Sequence, residues 1–168
     1  MHQRPRITDL PNTPAVYLLF GGKKGNKFVA YVGIADKLRQ RVTQHLIRRD
    51  SSITTGVSIV SLNPDYVTEI QWWEYPDFSD RGFLEAAEEV AFDIFNPILR
   101  SRGKLTIRAQ ELLNNPEFKA KMTGLFNSSP SGNLEFFDFQ DVIDRISKIE
   151  EKLDKLSNQI LEFNKNSN

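Results

Sequence analysis

The stretch AYVGIADKLRQRVTQHL, residues 30–46, places a tyrosine, an arginine and a histidine around one strand-to-helix turn. Tyr31 stands near the end of an apolar run, and Arg41 and His45 follow on an amphipathic segment. Because they are four residues apart, Arg41 and His45 project from one side of a helix, beside its apolar stripe. Packing alone does not require this combination, and an arginine in such a place is suited to binding the oxygens of a phosphate.

A carboxylate on an apolar helix face is the second unusual feature. Glu88 falls among the apolar residues of a helix that ends before Pro97, whereas Glu85 and Glu89 fall nearer its edge, where water solvates them. A carboxylate that loses solvation needs a cation, a metal or several hydrogen-bond donors. With Arg41, His45 and tyrosines expected to be exposed, Glu88 fits a phosphodiester site with a hard cation such as Mg²⁺. A structural ion pair is the alternative, and the residues alone favour it.

Changes of hydrophobic period along the chain predict the elements that position these residues. Three strands are predicted, over residues 14–20, 27–35 and 66–76. The first helix is predicted from residue 36 to about residue 49, the second ends before residue 97, and one or two short helices follow over residues 105–126.

The C-terminal segment has a heptad pattern. The polar run NSSPSGN predicts a linker, at 127–138, between a domain of residues 1–126 and a helix at 139–168. The apolar residues of this helix alternate spacings of four and three: Ile146, Leu153 and Ile160 at a, and Val142, Ile149, Leu156 and Phe163 at d. β-branched residues at a, with leucine among the d residues, favour a parallel two-stranded coil. We therefore predict a homodimer through residues 139–163, and packing on the chain's own domain is the alternative.

Composition narrows the possible classes of protein. Residues 1–50 carry ten basic and three acidic residues, whereas 51–103 carry three and nine, although the net charge is zero. A basic N-terminal third suits a nucleic-acid partner and suits a solvated surface equally well. The absence of cysteine excludes disulfides and thiolate chemistry. With no long apolar run and no signal-peptide pattern, we expect a cytoplasmic chain without a membrane partner.

An ordered set of short motifs resembles the signature of the GIY-YIG nuclease superfamily over residues 14–100. These motifs are AVY at 15–17, YVG at 31–33, Leu38, Arg41 and His45, and EEVAFDIFNPILR at 88–100. In that family a proline commonly follows the catalytic glutamate by nine residues, so Pro97 selects Glu88, the same residue as the buried-face argument. The resemblance implies an α+β fold with a three-stranded antiparallel sheet flanked by helices. It also implies a divalent-metal-dependent DNA endonuclease that hydrolyses phosphodiester bonds.

The resemblance further implies a role for each matching residue in the first part of the signature. Tyr17 and Tyr31 would line the site from adjacent strands, and one of them, with Tyr17 the first choice, would help to take a proton from the attacking water. Gly33 would let the backbone pass close to the site and the substrate. Arg41 would stabilise the charge that develops in the transition state.

The second part of the signature implies the proton relay and the metal. His45 would contact phosphate or relay a proton. Glu88 would bind one divalent cation, Mg²⁺ or Mn²⁺, which polarises the scissile phosphate and stabilises the leaving oxygen. Lys23 and Lys24, in the loop between the first two strands, are expected to add affinity for DNA.

Two positions depart from the family pattern. Ala15 replaces the first glycine, a change of small for small residue. Arg100 stands where the family usually has asparagine, so it either binds phosphate or alters activity. Arg100 leaves open a catalytically inactive nucleic-acid-binding module that dimerises through its C-terminal helix. A third possibility is an unrelated α+β domain that binds a protein partner through its terminal coil. Of Trp72 and Trp73, one is expected in the core, and the other, where exposed, would stack on a base or fill a protein interface.

Overall fold

The computed structural model describes residues 6–22, 26–48, 62–99, 103–136 and 139–166, and these form an α+β protein. The chain divides into two compact units, residues 1–136 and residues 137–168. The main elements are β1 (Ala15–Gly21), β2 (Phe28–Ala35), α1 (Leu38–Thr43), β3 (Val67–Trp73), α2 (Arg81–Phe95), α3 (Ile107–Leu113), α4 (Pro116–Asn127), β4 (Gly132–Glu135) and α5 (Phe139–Asn166).

The sheet has four antiparallel strands in the order β2-β1-β3-β4, rather than the three that were expected. The strand missed from the sequence, β4, lies inside the segment predicted as a linker. It is only four residues long and buries only Leu134, so it lacks the alternating pattern that identifies a strand. Gly132 begins β4 against the indole of Trp72, where any side chain would overlap the ring.

The first predicted helix has two parts. The α-helix ends at Thr43, and a π-helical segment continues over Gln44–Arg48. Wider turns of this kind rotate the residues that follow, and here the segment carries His45 into the interior, fully buried.

Local signals account for the ends of the helix that carries Glu88. The Asp80 carboxylate accepts a hydrogen bond from the Phe83 amide at 3.1 Å and so caps the start of α2. Asn96, with φ of 44°, ends the helix in the left-handed region, directly before Pro97. The predicted end of this helix is confirmed.

The sheet is covered on both faces, and each face carries its own core. One face packs against α2 and α4, with Val16, Leu18 and Trp73 among its residues. The other packs against α1 and the N-terminal residues, and it includes Tyr17 and Trp72. Both tryptophans are buried, because adjacent strand residues point to opposite, covered faces. Neither is available for the stacking on a base that an exposed tryptophan would offer.

The second unit is the single helix α5, 28 residues long. Its described a and d side chains are exposed, with fractions of 50% for Ile146, 57% for Ile149, 59% for Leu153, 55% for Leu156 and 60% for Ile160. Among the helices within the described ranges, none is both long and apolar enough to cross a membrane.

Candidate active site

A cleft of about 590 Å³ lies beside the end of β2 and brings together side chains from three elements. Tyr31 from β2, Arg41 from α1 and Glu88 from α2 all line it. These are three of the five residues predicted to be catalytic, and 57 residues of sequence separate the first from the last. The fold therefore places the arginine and the carboxylate of the predicted phosphate site in one concave surface.

The remaining two predicted residues, Tyr17 and His45, lie behind this wall. The Tyr17 hydroxyl is 2.6 Å from His45 Nε2, a hydrogen bond between two fully buried groups. The Tyr31 ring packs against both, with centroid distances of 6.1 Å to Tyr17 and 5.7 Å to His45. The expectation of exposed tyrosines was wrong, because α1 and the N-terminal segment cover the sheet face to which both rings point. Tyr31 is the tyrosine that lines the cleft, and Tyr17 supports it from the interior.

The structure explains why residue 33 is a glycine. It pairs across the sheet with Tyr17, and both tyrosine rings lie over its α-carbon. A Cβ at this position would stand 2.5 Å from Tyr31 Cε1, 2.7 Å from the Tyr17 hydroxyl and 2.9 Å from Tyr17 Cζ. Any side chain would overlap both rings, so the glycine allows the two tyrosine rings to pack against each other at this place.

Burial raises the pKa of both tyrosines. Burial is the largest cause for Tyr17, whose pKa lies well above 10, and the nearby Tyr31 adds to the increase. Burial, followed by the Glu88 charge, raises the pKa of Tyr31 to about 12. The charge of Arg41 and hydrogen bonding to it act in the opposite direction on both hydroxyls. Both phenols are therefore protonated at neutral pH in the free protein.

His45 is neutral at physiological pH. Its burial, together with the positive charge of Arg41, lowers the pKa to about 3. A neutral imidazole has one donor and one acceptor nitrogen, so His45 Nε2 either accepts a hydrogen bond from the Tyr17 hydroxyl or donates one to it.

Arg41 is half-buried and lines the cleft. Its Nη1 lies 3.5 Å from the Gln44 side-chain oxygen, and its guanidinium also hydrogen-bonds with the Tyr17 and Tyr31 hydroxyls. Among the described residues, no carboxylate lies within salt-bridge distance of it. Arg41 and Glu88 thus share one cleft without pairing directly. The structural ion pair that the residues alone favoured is not formed between these two side chains.

Glu88 is half-buried, and its environment opposes ionisation. Burial is the main cause that raises its pKa to about 7, and the charges of Glu89 and Glu85 add to the increase against the charges of Arg81 and Arg41. Glu85 has a structural role instead, because its oxygens accept from Arg81 Nε at 3.0 Å and from the Thr106 amide at 3.1 Å. Of the three neighbouring glutamates, only Glu88 lines the cleft.

The side chains of the cleft suit a cation that is bound by the protein and by a phosphate substrate together. Among the described residues no three histidine or acidic side chains come together as a metal site. A hard cation at Glu88 would have one protein carboxylate and would complete its coordination with phosphate oxygens and water, the mode that Mg²⁺ adopts with phosphate substrates. Glu88 must lose its proton to bind the cation, so binding is linked to pH.

Five polar residues of the cleft were not predicted from the sequence: Asp36, Lys37, Gln40, Gln44 and Arg81. Lys37, Gln40 and Gln44 recur with Arg41 at spacings of three and four. This spacing indicates one helix face and could have identified these three residues. Arg81 lies at the start of α2. Its Nη1 is 3.5 Å from Asp36 Oδ1 and its Nε is 3.0 Å from Glu85 Oε1, and these ion pairs hold it beside the cleft.

Three predicted substrate-binding residues, Lys23, Lys24 and Arg100, lie outside the described residues. The chain was also compared with protein-family models, with curated proteins and with solved structures, and none of them matches it.

Proposed function

We propose that the chain is a divalent-metal-dependent DNA endonuclease of the GIY-YIG type, which hydrolyses phosphodiester bonds at the cleft beside α1. One observation carries the proposal: Arg41 and Glu88, brought from two helices, face one cleft without neutralising each other. In the part of the chain that the structure describes, neither side chain forms an ion pair. A guanidinium without a carboxylate partner suits the phosphate charge, and a carboxylate without a basic partner suits a cation. The short motifs that resemble the GIY-YIG signature support the same conclusion.

Tyr31 is the cleft residue that contacts the attacking water. To take a proton from it, the phenol must become phenolate, and hydrogen bonding to Tyr17 and Arg41 lowers the pKa in that direction. Among the neighbouring charges, that of Glu88 raises the pKa of Tyr31 most and so disfavours the phenolate. A Mg²⁺ or Mn²⁺ ion at Glu88 would offset that charge and polarise the scissile phosphate.

Arg41 stabilises the additional negative charge of the transition state. Its half-buried position strengthens this interaction, because a guanidinium shielded from water acts through a lower effective dielectric. His45 stays neutral and holds the Tyr17 hydroxyl, which in turn supports Tyr31. In this proposal Tyr17 and His45 are positioning residues, and Tyr31, Arg41 and Glu88 contact the reacting groups or the metal.

The alternative is a nucleic-acid-binding module that does not cleave its ligand. The pKa values of the groups that would have to accept a proton favour this alternative. The pKa of Tyr31 is about 12 and that of His45 about 3, so neither takes a proton readily at pH 7 in the free protein. In this function Arg41 and Lys37 would still hold a phosphate backbone.

We propose two macromolecular partners. DNA would bind at the cleft, where Lys37, Arg41 and Arg81 are the cations among its lining residues. A second copy of the chain would bind at the C-terminal helix, whose apolar a and d residues are exposed.

Plasmid cleavage tests the proposal. The full chain is incubated with supercoiled plasmid in Mg²⁺, in Mn²⁺ or in EDTA, beside Glu88→Ala and the matched control Glu89→Ala. We expect metal-dependent nicking that Glu88→Ala abolishes and Glu89→Ala retains, with DNA binding and circular dichroism preserved in both.

Cleavage by Glu88→Ala at the wild-type rate would contradict the assignment. DNA binding without nicking by the wild-type chain, in either metal, would establish the binding module instead.

A further inference from the structure

The second unit exposes the apolar a and d face of α5. Five of its a and d residues are each at least half exposed, as their fractions from 50% to 60% show. A single helix of 28 residues gains little stability without packing against a partner. The exposed face is continuous over residues 146–160, where the structure describes these side chains, and this continuity is the property of a coiled-coil seam.

The charges beside the seam are segregated by heptad position. The g positions are Arg145, Lys152, Gln159 and Asn166, and the e positions are Ile143, Glu150, Ser157 and Asn164. Every charge at g is therefore positive, and the one charge at e is negative. This separation determines which orientation of two identical helices brings opposite charges together.

We propose that α5 binds the α5 of a second copy in a parallel, in-register coiled coil. In a parallel coil each g residue faces the e residue five positions later on the partner, so Arg145 of each copy meets Glu150 of the other. In an antiparallel coil g faces g and e faces e. Arg145 and Lys152 would then meet only each other or uncharged residues, in any register. Charge complementarity thus selects the parallel orientation.

A parallel coil has a consequence that rests on the proposed nuclease function. Both sheet-containing units precede their helices in the chain, so both are attached at the same end of the coil. Two clefts tethered at one end act on the same duplex at high effective concentration, so the second strand is cut without a second encounter with DNA.

Disulfide trapping tests the orientation without reference to cleavage. The chain has no cysteine, so single cysteines report one position each. We prepare full-length Ile149→Cys and Ile160→Cys, one d and one a position, with the exposed Ser157→Cys as the e-position control. Under mild oxidation we expect the first two variants to form covalent dimers each on its own and the control to form few, because a faces a and d faces d in a parallel coil. Dimers that appear only when Ile149→Cys and Ile160→Cys are mixed would establish an antiparallel coil. No dimer in any sample, with the full chain monomeric by sedimentation, would overturn the proposal altogether.

Exchanging the charges of Arg145 and Glu150 tests whether these charges determine the orientation of the two helices. Arg145→Glu or Glu150→Arg alone places like charges at both g–e contacts, so each is expected to raise the dimer Kd on the order of tenfold. A mixture of the two variants restores opposite charges at both contacts and should form heterodimers with near wild-type affinity. Homodimers of unchanged affinity would overturn the charge argument. Because sedimentation and trapping need no DNA, failure of the dimer and failure of the nuclease are separately visible.

Discussion

Removing the Glu88 charge should stabilise the protein, because this carboxylate ionises in an unfavourable place. Its pKa is raised from 4.5 to about 7, mainly by burial. Since each factor of ten in an ionisation constant is about 1.4 kcal/mol, the folded state at high pH is penalised by about 3 kcal/mol relative to the unfolded state. Glu88 is only partly buried, and we therefore expect Glu88→Gln to gain about 2 kcal/mol at pH 8.

The sign of the pH dependence follows from the raised pKa. Below about pH 4.5 Glu88 is protonated in both the folded and the unfolded protein, and the neutral glutamine has no advantage. Between about pH 4.5 and 7 the unfolded state releases the proton that the folded state keeps, so the wild-type chain loses stability relative to Glu88→Gln as the pH rises. The gain is complete above pH 8.

Urea unfolding of both full-length chains, from pH 4 to pH 8, measures this difference. Effects of the substitution that do not depend on pH cancel when the two ends of the range are compared. Glu89→Gln serves as the control, because it removes a charge that raises the pKa of Glu88 but leaves Glu88 ionisable. Its stability relative to the wild type should therefore change less between pH 4 and pH 8 than that of Glu88→Gln. If Glu88→Gln gains no stability relative to the wild type between pH 4 and pH 8, the reasoning is refuted. A relative loss over that range would mean that a stabilising ion pair holds the ionised Glu88.

Three further predictions concern the cleft. Arg41→Ala should lower the cleavage rate by about 10²-fold or more with little change in DNA affinity, whereas Lys37→Ala should weaken binding and flatten its salt dependence, as rate and filter-binding assays would show. Gly33→Ala should cost about 1–3 kcal/mol in urea unfolding and abolish cleavage, since a Cβ there overlaps both tyrosine rings. At limiting Mg²⁺ the cleavage rate should rise with pH through about 7, and Glu89→Gln should move this midpoint to lower pH, because the Glu89 charge helps to raise the pKa of Glu88.

The end of α2 before Pro97 was the helix boundary that the sequence predicted, because the signal that defines it is local. Asp80 caps α2 through its own side chain, and Pro97 prevents continuation at the other end. The same reasoning holds for α4, where Asn115 caps a helix that begins at a proline. The alternating pattern of β3 was also visible, since both of its faces are determined within the strand.

The fourth strand was not predictable from the sequence. Gly132–Glu135 is too short to show a period, and it is a strand because β3 offers it a free edge. The burial of Tyr17 and His45 was missed for a related reason. Which sheet face is covered depends on α1, on the N-terminal segment and on a π-helical turn, none of which a local pattern specifies.

For the candidate site, the sequence determined which residues were candidates, and the tertiary structure determined how they lie relative to one another. Residue types and spacing selected Arg41 and Glu88 as candidates for a phosphate site, because such a site needs a guanidinium and a carboxylate. The resemblance to the GIY-YIG signature added Tyr31 and, through the distance to Pro97, selected the same glutamate. Whether Arg41 and Glu88 neutralise each other depended on the relative placement of two helices that meet only in the folded chain. The structure places them in one cleft without a direct pair, and the same packing raises the pKa of Glu88 because burial removes water from the carboxylate.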